Sequence, residues 1–525
     1  MVIKKKFNEE QKKMLSQDRG VTLLLGDICT GKTTTLIEQM HRLAIKQKNI
    51  ECEIYFFTTT GRDIEEVHEK LKLVQQQNGN RITISTIYNC VLKILSNETI
   101  FLKNKHIYDY SDLLDIVAKI MSSKNIDLQL YNKNDILNII FNLKSAMITP
   151  QEYKTRNNIL EKKDKFTSVI GTIFEEYENI ITKNNIFDNE DVLMLFYNLL
   201  LNNNAFYKKI CDRFKYVFID DLQNTTKLQY LILKQICSKY GNMFTAGNDI
   251  DSLYTLYCDK NNIKLIQEDY KNCFVVKLVE RFGEKNNIML CASSILGQGD
   301  TNRHECHIAT KQNIASITKL CSDIDTQEPY TISLSIKLLL KAKKYRLEDV
   351  VIICRDEKNI GPLQEAFAKY KIQSKRYSIQ TKKQNNVVVP KRKLNSSVTI
   401  ATIYDMIYNK CKFKCSYIIW LNTKFLNFNN NDFELKINKI LLYHAFLVAK
   451  NDLYLSYSLN VFCGAQITNA KNHVLIENLN KEYINPNIQT THILKLYDKN
   501  YDLSFYSKIN VFEFSFTKKK YEEVF

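Results

Sequence analysis

One short segment near the start of the sequence restricts the possible folds more than any other. An apolar run, Val21–Leu25, is followed by Gly26–Thr33, which matches the pattern G-x-x-x-x-G-K-[ST] at every fixed position. Leu36, Met40 and Leu43 then recur at the spacing of one helix face. A buried strand, a glycine turn and a helix are the context in which this pattern binds phosphates. The segment therefore predicts a nucleotide site, the alternative being a glycine turn that precedes a helix by chance.

The polar residues of this loop have expected roles. Backbone N–H groups of the loop and of the helix N terminus would surround the phosphates. Lys32 would reach the β- and γ-phosphates, and Thr33 would hold Mg²⁺. The remaining predicted ATP contacts in the loop are Gly26, Gly31 and Thr34. The loop alone does not distinguish a kinase, a GTPase, a transporter ATPase and a helicase.

A second acidic element narrows the choice. The apolar run Tyr216–Ile219 predicts another buried strand, and it ends in Asp220 and Asp221. A carboxylate at the end of such a strand is where Mg²⁺ coordination needs it, and a second acid beside it can orient the attacking water. Two aspartates after a strand are also common in turns and helix N-caps, so the pair by itself leaves both interpretations open.

The charge of the chain indicates a class of partner. Lys and Arg number 74 against 57 Asp and Glu, which gives a formal net charge of +17. Such a charge attracts polyanions, so nucleic acid is the natural partner. Lysine enrichment from AT-rich codons, serving only solubility, is the alternative, and charge does not decide between them.

Other features exclude several classes. The basic N terminus lacks an apolar segment behind it, so we expect no signal peptide. No run of 18 or more apolar residues occurs, and we expect no membrane span and a cytoplasmic location. Cys411 and Cys415 are the nearest cysteine pair, without a second pair at metal-site spacing, so no metal cluster is assigned.

Further segments, in order from residue 7 to about 460, resemble the motifs of UvrD/Rep/PcrA-like superfamily 1 DNA helicases. Those before residue 260 are Phe7–Gln11 (the Q motif), Glu53–Arg62, Ile84–Tyr88 (T-F-H), Phe187–Val192 (L-D-F-D-D-L), Asp220–Gln229 (D-E-Y-Q-D-T-N-x-x-Q) and Ala246–Tyr254 (G-D-D-D-Q-S-I-Y). Those after it are Leu278–Gly283 (L-x-x-N-Y-R), Asp349–Arg355, Val398–Thr402, Leu441–Lys450 and Leu453–Ser456.

The resemblance implies an α/β fold with two RecA-like P-loop motor domains and ATP in the cleft between them. The first would comprise residues 1–92 and 205–290, the second 291–475, with 93–204 an inserted helical domain and 476–525 a C-terminal extension. The segment Tyr377–Val398 leaves room only for a linker, so the family's second insertion is expected to be vestigial or absent. The alternating tail beyond residue 460, for example Asn510–Phe516, predicts added strands.

The resemblance also implies roles for individual residues. Gln11 and Phe282 would contact the adenine, Gln223 would contribute to the nucleotide site, and Arg281 is a candidate catalytic cation. The predicted contacts to single-stranded DNA are Thr60, Arg62, Thr86, Tyr257, Arg355 and Thr402.

The sequence departs from the family pattern at catalytic positions. Asp221 stands in place of a glutamate, Asp251 in place of a glutamine, and Gly283 and Val448 in place of arginines. An arginine at such a site contributes about 10³- to 10⁵-fold in rate. Lys-Gly is replaced by Ile407-Tyr408.

Two functions therefore remain open. One is an ATP-binding DNA helicase or translocase whose hydrolysis is weakened. The other is a pseudo-helicase, a nucleotide- and nucleic-acid-binding scaffold or switch subunit in a larger complex. A protein partner supplying an arginine would compensate for the missing cation. A phosphoryl-transfer kinase is disfavoured because nothing resembles an acceptor site.

Overall fold

The chain divides into two compact units, described one at a time. The first contains Met1–Glu284 and Asn302–Lys311, and the second Lys285–Thr301 and Gln312–Phe525. The computed structural model describes residues 7–26, 30–46, 53–58, 64, 67–68, 82–97, 102–126, 133–159, 165–248, 262–280, 284–285, 287–297, 311–312, 315–377, 396–409, 411–426, 432–463, 466–470, 474–477, 479 and 484–489.

A six-stranded parallel sheet forms the centre of the first unit. The strands of this unit are β1 (Val21–Gly26), β2 (Ile54–Phe57), β3 (Ile82–Ser85), β4 (His106–Ile107), β5 (Ile186–Phe187), β6 (Tyr216–Ile219), β7 (Met243–Gly247) and β8 (Phe274–Leu278). The sheet has the order β3-β2-β6-β7-β1-β8, while β4 and β5 pair separately. Strand β7 therefore lies between the strand that precedes the loop and the strand that precedes the aspartates.

Both faces of this sheet are buried, which explains the continuous apolar runs of its strands. Successive side chains of a strand point to opposite faces: Leu23 and Leu25 join one core, and Leu24 joins the other. Leu23 and Leu24 are fully buried, and burial of such a side chain contributes about 1.5–3 kcal/mol.

Eleven described helices belong to the first unit. They are α1 (Glu9–Leu15), α2 (Lys32–Lys46), α3 (Ile87–Asn97), α4 (Tyr110–Ser123), α5 (Lys133–Ser145), α6 (Pro150–Ile159), α7 (Lys165–Lys183), α8 (Asn189–Asn202), α9 (Asn204–Cys211), α10 (Lys227–Ile236) and α11 (Asn262–Asp269). Asn8, Asp109, Asp188 and Thr226 begin helices with reciprocal capping boxes, a local sequence signal.

Helices α4 to α7 pack around a core of their own, separate from the two cores of the sheet. Leu113 and Val117 of α4 meet Ile140 of α5 and Phe174 of α7 in that core. Helices α3 and α8, by contrast, contribute Ile94 and other residues to one sheet core. The helical region inserted between β3 and β6 thus has its own interior and is attached through helices that belong to the sheet.

The second unit contains an eight-stranded sheet. The remaining strands of the chain are β9 (Glu284–Lys285), β10 (Lys311–Gln312), β11 (Ser316–Ile324), β12 (Val350–Cys354), β13 (Ser374–Arg376), β14 (Val398–Thr402), β15 (Phe413–Ile418), β16 (Ala449–Cys463), β17 (Gln466–Asn469) and β18 (Ile484–Gln489). The sheet order is β13-β14-β12-β15-β16-β11-β18, all parallel, with β17 antiparallel to β16.

The second unit also has six described helices, and its tail adds strands. The helices are α12 (Asn287–Gly297), α13 (Glu328–Lys341), α14 (Ile360–Lys369), α15 (Ile403–Asn409), α16 (Asp432–Leu447) and α17 (Val474–Glu477). Two parallel sheets with interleaved helices confirm the predicted α/β class. Strands β17 and β18 lie in the tail beyond residue 460, while Asn510–Phe516 and residues 378–395 are outside the described residues.

Candidate nucleotide site

The predicted loop connects the end of β1 to the start of α2. Residues 27–29 lie outside the described residues, and Thr30 and Gly31 bring the chain back to the helix. Gly31 has φ +82°, a region where glycine carries no steric penalty. A Cβ atom at Gly26 would lie 2.5 Å from Thr30 Oγ1. The backbone conformation therefore favours glycine at position 31, and the close approach of Thr30 favours it at position 26.

The Lys32 side chain extends back to the last residue of β1. Its Nζ donates a hydrogen bond to the Gly26 carbonyl at 2.8 Å, so the cation lies at the end of β1. Thr34 is half-buried in the first turn of α2, and Thr35 Oγ1 donates to the Gly31 carbonyl at 2.9 Å. A positive side chain and a helix N terminus thus converge where the sequence predicts phosphates.

The structure joins the two predicted magnesium ligands directly. Thr33 Oγ1 donates a hydrogen bond to Asp220 Oδ2 at 2.6 Å. Asp220 is buried at the end of β6, and its N–H is bonded to the Phe57 carbonyl at 3.0 Å. A hydroxyl and a carboxylate oxygen in contact form a donor set that suits Mg²⁺, which usually takes few protein ligands and completes its shell with phosphates and water.

Asp221 adopts a backbone conformation that the sequence did not reveal. Its φ and ψ are +55° and +50°, the left-handed region that costs an L-residue roughly 1–2 kcal/mol. Aspartate is one of the few side-chain types enriched there, which was the available signal. Its N–H donates to Asp220 Oδ1 at 3.1 Å, so the Asp220 carboxylate is bonded to both Thr33 and the Asp221 backbone.

Gln223 connects Asp221 to the end of β7. Its Nε2 donates to Asp221 Oδ1 at 3.2 Å, and its Oε1 accepts from the Asn248 N–H at 3.0 Å. Sequence reasoning assigned Gln223 to the nucleotide and did not select Asn248. In the structure the described contacts of Gln223 are to the protein.

Gln11 lies at the other side of the loop. The residue is 3% exposed; its Oε1 accepts from the Asn8 N–H at 3.1 Å, and its Nε2 approaches the Thr30 carbonyl at 3.5 Å. Asn8 Nδ2 in turn donates to Glu280 Oε2 at 3.0 Å. Helix α1 therefore brings Gln11 beside the loop and next to the segment that leads to Arg281 and Phe282, both outside the described residues.

The described residues predicted to contact nucleic acid also have structural partners. Thr86 Oγ1 accepts from the Asn89 N–H at 3.1 Å, and Thr402 forms reciprocal hydrogen bonds with Asp405 at the start of α15. Arg355 Nη1 donates to the Phe425 carbonyl at 2.8 Å and to Asn438 Oδ1 at 3.0 Å. The other three predicted contacts, Thr60, Arg62 and Tyr257, lie outside the described residues.

Val448, at a position where the resemblance implies an arginine, is part of the second unit's interior. It is 4% exposed between α16 and β16, and its carbonyl accepts from the Phe413 N–H at 2.8 Å. This position therefore supplies an apolar side chain to the fold and no cation. Asp251 and Gly283 lie outside the described residues.

The segment that resembles L-D-F-D-D-L forms a buried ionic cluster, which we call the Lys144 cluster: Lys144, Glu178, Asp188, Glu190 and Asp191. Lys144 Nζ lies 2.7 Å from Asp188 Oδ2, 2.7 Å from Asp191 Oδ1 and 2.9 Å from Glu178 Oε1. Asp188 is fully buried. One cation thus pairs with three carboxyl groups at the junction of α5, α7 and α8, and Glu190 is the fourth acid near them.

This excess of acid shifts the titration of the cluster. Burial, and next the charge of Asp188, raise the pKa of the Glu190 carboxyl to about 8, although Lys144 acts in the opposite direction. The same two causes raise the pKa of Asp191. Burial lowers the pKa of Lys144, but the three carboxylates around it outweigh burial and raise it. The chemistry therefore favours a cluster that holds at least one proton near neutral pH.

The described residues contain neither a candidate membrane span nor a candidate metal cluster. Among the described residues, no helix is both long and apolar enough to cross a bilayer. In the same part of the chain no group of three or more His, Cys, Asp and Glu is arranged to hold a metal ion.

Comparison with known proteins agrees with these observations. The model of the UvrD/REP helicase N-terminal domain matches residues 7–271, half of the chain. DNA helicase II of Rickettsia typhi is 26% identical over 369 residues, 69% of this chain and 55% of that protein. PcrA of Bacillus subtilis, an ATP-dependent DNA helicase, is 22% identical over 371 residues, 69% of this chain and 49% of that protein. The chain spans about half the length of these curated relatives.

Proposed function

The chain belongs to the UvrD/REP helicase family, and on that premise we propose that it binds Mg–ATP and single-stranded nucleic acid but hydrolyses ATP slowly. The two functions that remain open from the sequence, a weakened motor and a scaffold or switch subunit of a larger complex, differ in how much hydrolysis is left. In the scaffold or switch function, ATP turnover would be negligible.

One observation carries the proposal of nucleotide binding, the 2.6 Å contact between Thr33 and Asp220. These residues come from the two elements on which a P-loop protein relies for its metal. Lys32 lies on the same loop, bonded to the Gly26 carbonyl. Its ammonium would exchange this carbonyl for phosphate oxygens, which are stronger partners for a cation.

Thr33 and Asp220 would hold Mg²⁺ through a hydroxyl and a carboxylate oxygen. The ion, when bound with the nucleotide, would neutralise phosphate charge. Asp221 would orient a water molecule, with its carboxylate one methylene closer to the backbone than a glutamate would place it. A misplacement of about 1 Å in a catalytic group can cost about 10²-fold.

Slow hydrolysis is supported by Val448. A buried valine cannot stabilise charge on a transferring phosphoryl group, and an arginine in that role contributes about 10³- to 10⁵-fold. Arg281 or an arginine from a partner protein are the candidate replacements. Arg355, the last residue of the family-like segment Asp349–Arg355, donates hydrogen bonds to Phe425 and Asn438.

The first experiment measures binding of a fluorescent ATP analogue with Mg²⁺ to the full chain. We expect Lys32→Ala to weaken binding at least tenfold, because a charge-assisted contact contributes about 1.5–3 kcal/mol. Lys46→Ala is the matched control: Lys46 is at the other end of α2, where it pairs with Asp18 on the surface. Equal affinity of the Lys32 variant and the unmodified protein would reject the nucleotide site.

The second experiment measures ATP turnover with and without single-stranded DNA. We expect slow turnover that increases in Asp221→Glu, since a glutamate restores the methylene by which the Asp221 carboxylate falls short. Val448→Arg is a poor test because it would bury an unpaired charge. Brisk DNA-stimulated hydrolysis by the unmodified protein would contradict slow hydrolysis and favour an active motor.

A further inference from the structure

A continuous series of hydrogen bonds leads from the phosphate loop to the end of β7. It begins at Thr33, passes through Asp220 to the Asp221 N–H, continues from Asp221 Oδ1 to Gln223, and ends at the Asn248 N–H. The four donor–acceptor distances are 2.6, 3.1, 3.2 and 3.0 Å. The series joins the first turn of α2 to the C-terminal ends of two strands, β6 and β7, at the edge of the sheet where ligands bind in parallel α/β folds.

Gln223 occupies the central place in this series. An amide side chain offers a donor and an acceptor at the same time. Here the donor is used on the Asp221 carboxylate and the acceptor on the backbone of Asn248. A glutamate would keep the acceptor but place a second negative charge against Asp221, and an apolar side chain would supply neither bond. The chemistry of this position therefore selects glutamine.

The backbone around Gln223 is held by its own contacts. The short turn Leu222–Asn224 is closed by a bond of 2.8 Å from the Asn224 N–H to the Asp221 carbonyl. Leu222 is fully buried. Asn262 Nδ2 donates to the Thr225 carbonyl at 2.7 Å, which ties the turn to α11. These contacts fix the position of the turn from which the Gln223 side chain extends.

The end of β7 is shaped to receive this side chain. A Cβ atom at Gly247 would lie 3.1 Å from Gln223 Oε1 and 2.5 Å from Ile263 Cδ1. The absence of a side chain at Gly247 lets the amide reach the next N–H. The contact between Gln223 and the end of β7 therefore depends on glycine at position 247.

We propose that Gln223 is a positioning residue, which holds the Asp221 carboxylate toward the hydrolytic water and couples it to the backbone of Asn248 at the end of β7. This proposal rests on the proposed nucleotide site, and the expectation that Gln223 contacts the nucleotide directly is its alternative. Without the amide, the Asp221 carboxylate loses a hydrogen bond that helps to direct it. The loss affects the geometry of the transition state and leaves the ground state unchanged.

The test compares the affinity of the full chain for Mg–ADP with its affinity for Mg–ADP–aluminium fluoride, which imitates the transferring phosphoryl group and needs no turnover. We expect Gln223→Met to lower the second affinity about tenfold relative to the first. Asp221→Asn should give a similar loss. The double variant should lose no more than either single one, because residues that act as a unit are not additive.

Gln229→Met is the matched control. Gln229 lies on the same sequence motif, but its amide caps α10 by accepting from the Thr226 N–H at 3.1 Å. That variant should lower the melting temperature and leave the affinity ratio unchanged. Gln223→Glu gives a second approach if Gln223→Met does not fold, and should lower the ratio further.

The outcomes separate two failures. An unchanged ratio in both Gln223 variants, with ADP still bound, would overturn the positioning role alone. A loss shared equally by ADP and ADP–aluminium fluoride would also overturn it, since a direct nucleotide contact would then explain the effect. No ADP binding by the unmodified protein would overturn the nucleotide site and this role together.

Discussion

At the scale of single residues, Glu190 occupies an unfavourable place for a negative charge. It is surrounded by Asp188 and Asp191, with one cation, Lys144, shared among them. Within the described part of the chain, no group donates a hydrogen bond to its buried Oε2 atom. A carboxyl group in this setting is more stable with a proton, as its raised pKa indicates.

The substitution Glu190→Gln should remove a pH dependence of stability. The pKa of Glu190 rises from its ordinary 4.5 to about 8, so the folded chain holds a proton that the unfolded chain releases. Stability from this group is complete below about pH 4.5 and is lost as pH rises toward 8. We expect the unmodified protein to lose about 2–4 kcal/mol over this range, and the variant to lose much less.

Thermal unfolding between pH 5.5 and pH 8.5 measures the difference. The variant should melt several degrees higher than the unmodified protein at pH 8.5 and at nearly the same temperature at pH 5.5. Glu176→Gln is the control, because Glu176 on α7 forms an exposed pair with Lys124, the residue that follows α4. Identical pH profiles for Glu190→Gln and the unmodified protein would exclude a buried proton at this position.

At the scale of secondary-structure elements, the Lys144 cluster connects the inserted helices to a helix that packs on the sheet of the first unit. Lys144 projects from α5 and Glu178 from α7, whose interior is separate, whereas Asp191 projects from α8, which belongs to a sheet core. Tyr177 on α7 adds a hydrogen bond of 2.9 Å to Asp188 Oδ2. The attachment between these helices is thus ionic as well as apolar.

Lys144→Met should destabilise the first unit by about 3–5 kcal/mol, because removal of one partner from a buried ion pair leaves the others uncompensated. Denaturant unfolding gives the free energy. Lys124→Met, which removes an exposed pair with Glu176, should cost less than about 1 kcal/mol. Lowering the pH should reduce the deficit of Lys144→Met as the carboxylates take up protons. Equal costs for both variants would mean that the cluster contributes no more than a surface pair.

At the scale of the whole molecule, the net charge of +17 predicts salt-sensitive binding to single-stranded nucleic acid. Each phosphate contact adds about −0.7 to the slope of log K against log salt, so about five contacts would weaken binding on the order of 100-fold between 50 and 200 mM salt. Fluorescence anisotropy of a labelled oligonucleotide gives this slope.

Arg355→Gln makes that measurement residue-specific. If Arg355 contacts a phosphate, the slope should become smaller in magnitude by about 0.7. An unchanged slope would assign Arg355 to its internal bonds with Phe425 and Asn438 alone. Binding that does not respond to salt in the unmodified protein would contradict the nucleic-acid proposal itself.

Local patterns in the sequence predicted many of the strands and helices of this protein and two residues of its candidate nucleotide site. The run Val21–Leu25 followed by the glycine loop predicted β1, the turn and α2, because each depends on neighbouring residues. Periodicity predicted the inserted helices, and the order of the motifs predicted two parallel sheets. The same reasoning selected Thr33 and Asp220 as a pair, because both residue types stand where a metal site of this kind requires them.

Tertiary structure decided what depends on distant parts of the chain. Thr33 and Asp220 are 187 positions apart, and their contact depends on a strand order in which β7 separates β6 from β1. Sequence patterns do not give that order. The bond between Asn248 and Gln223, the left-handed backbone of Asp221 and the sharing of Lys144 by three acids likewise arise from packing. Each is a balance of burial, charge and backbone strain that exists only after the sheet has formed.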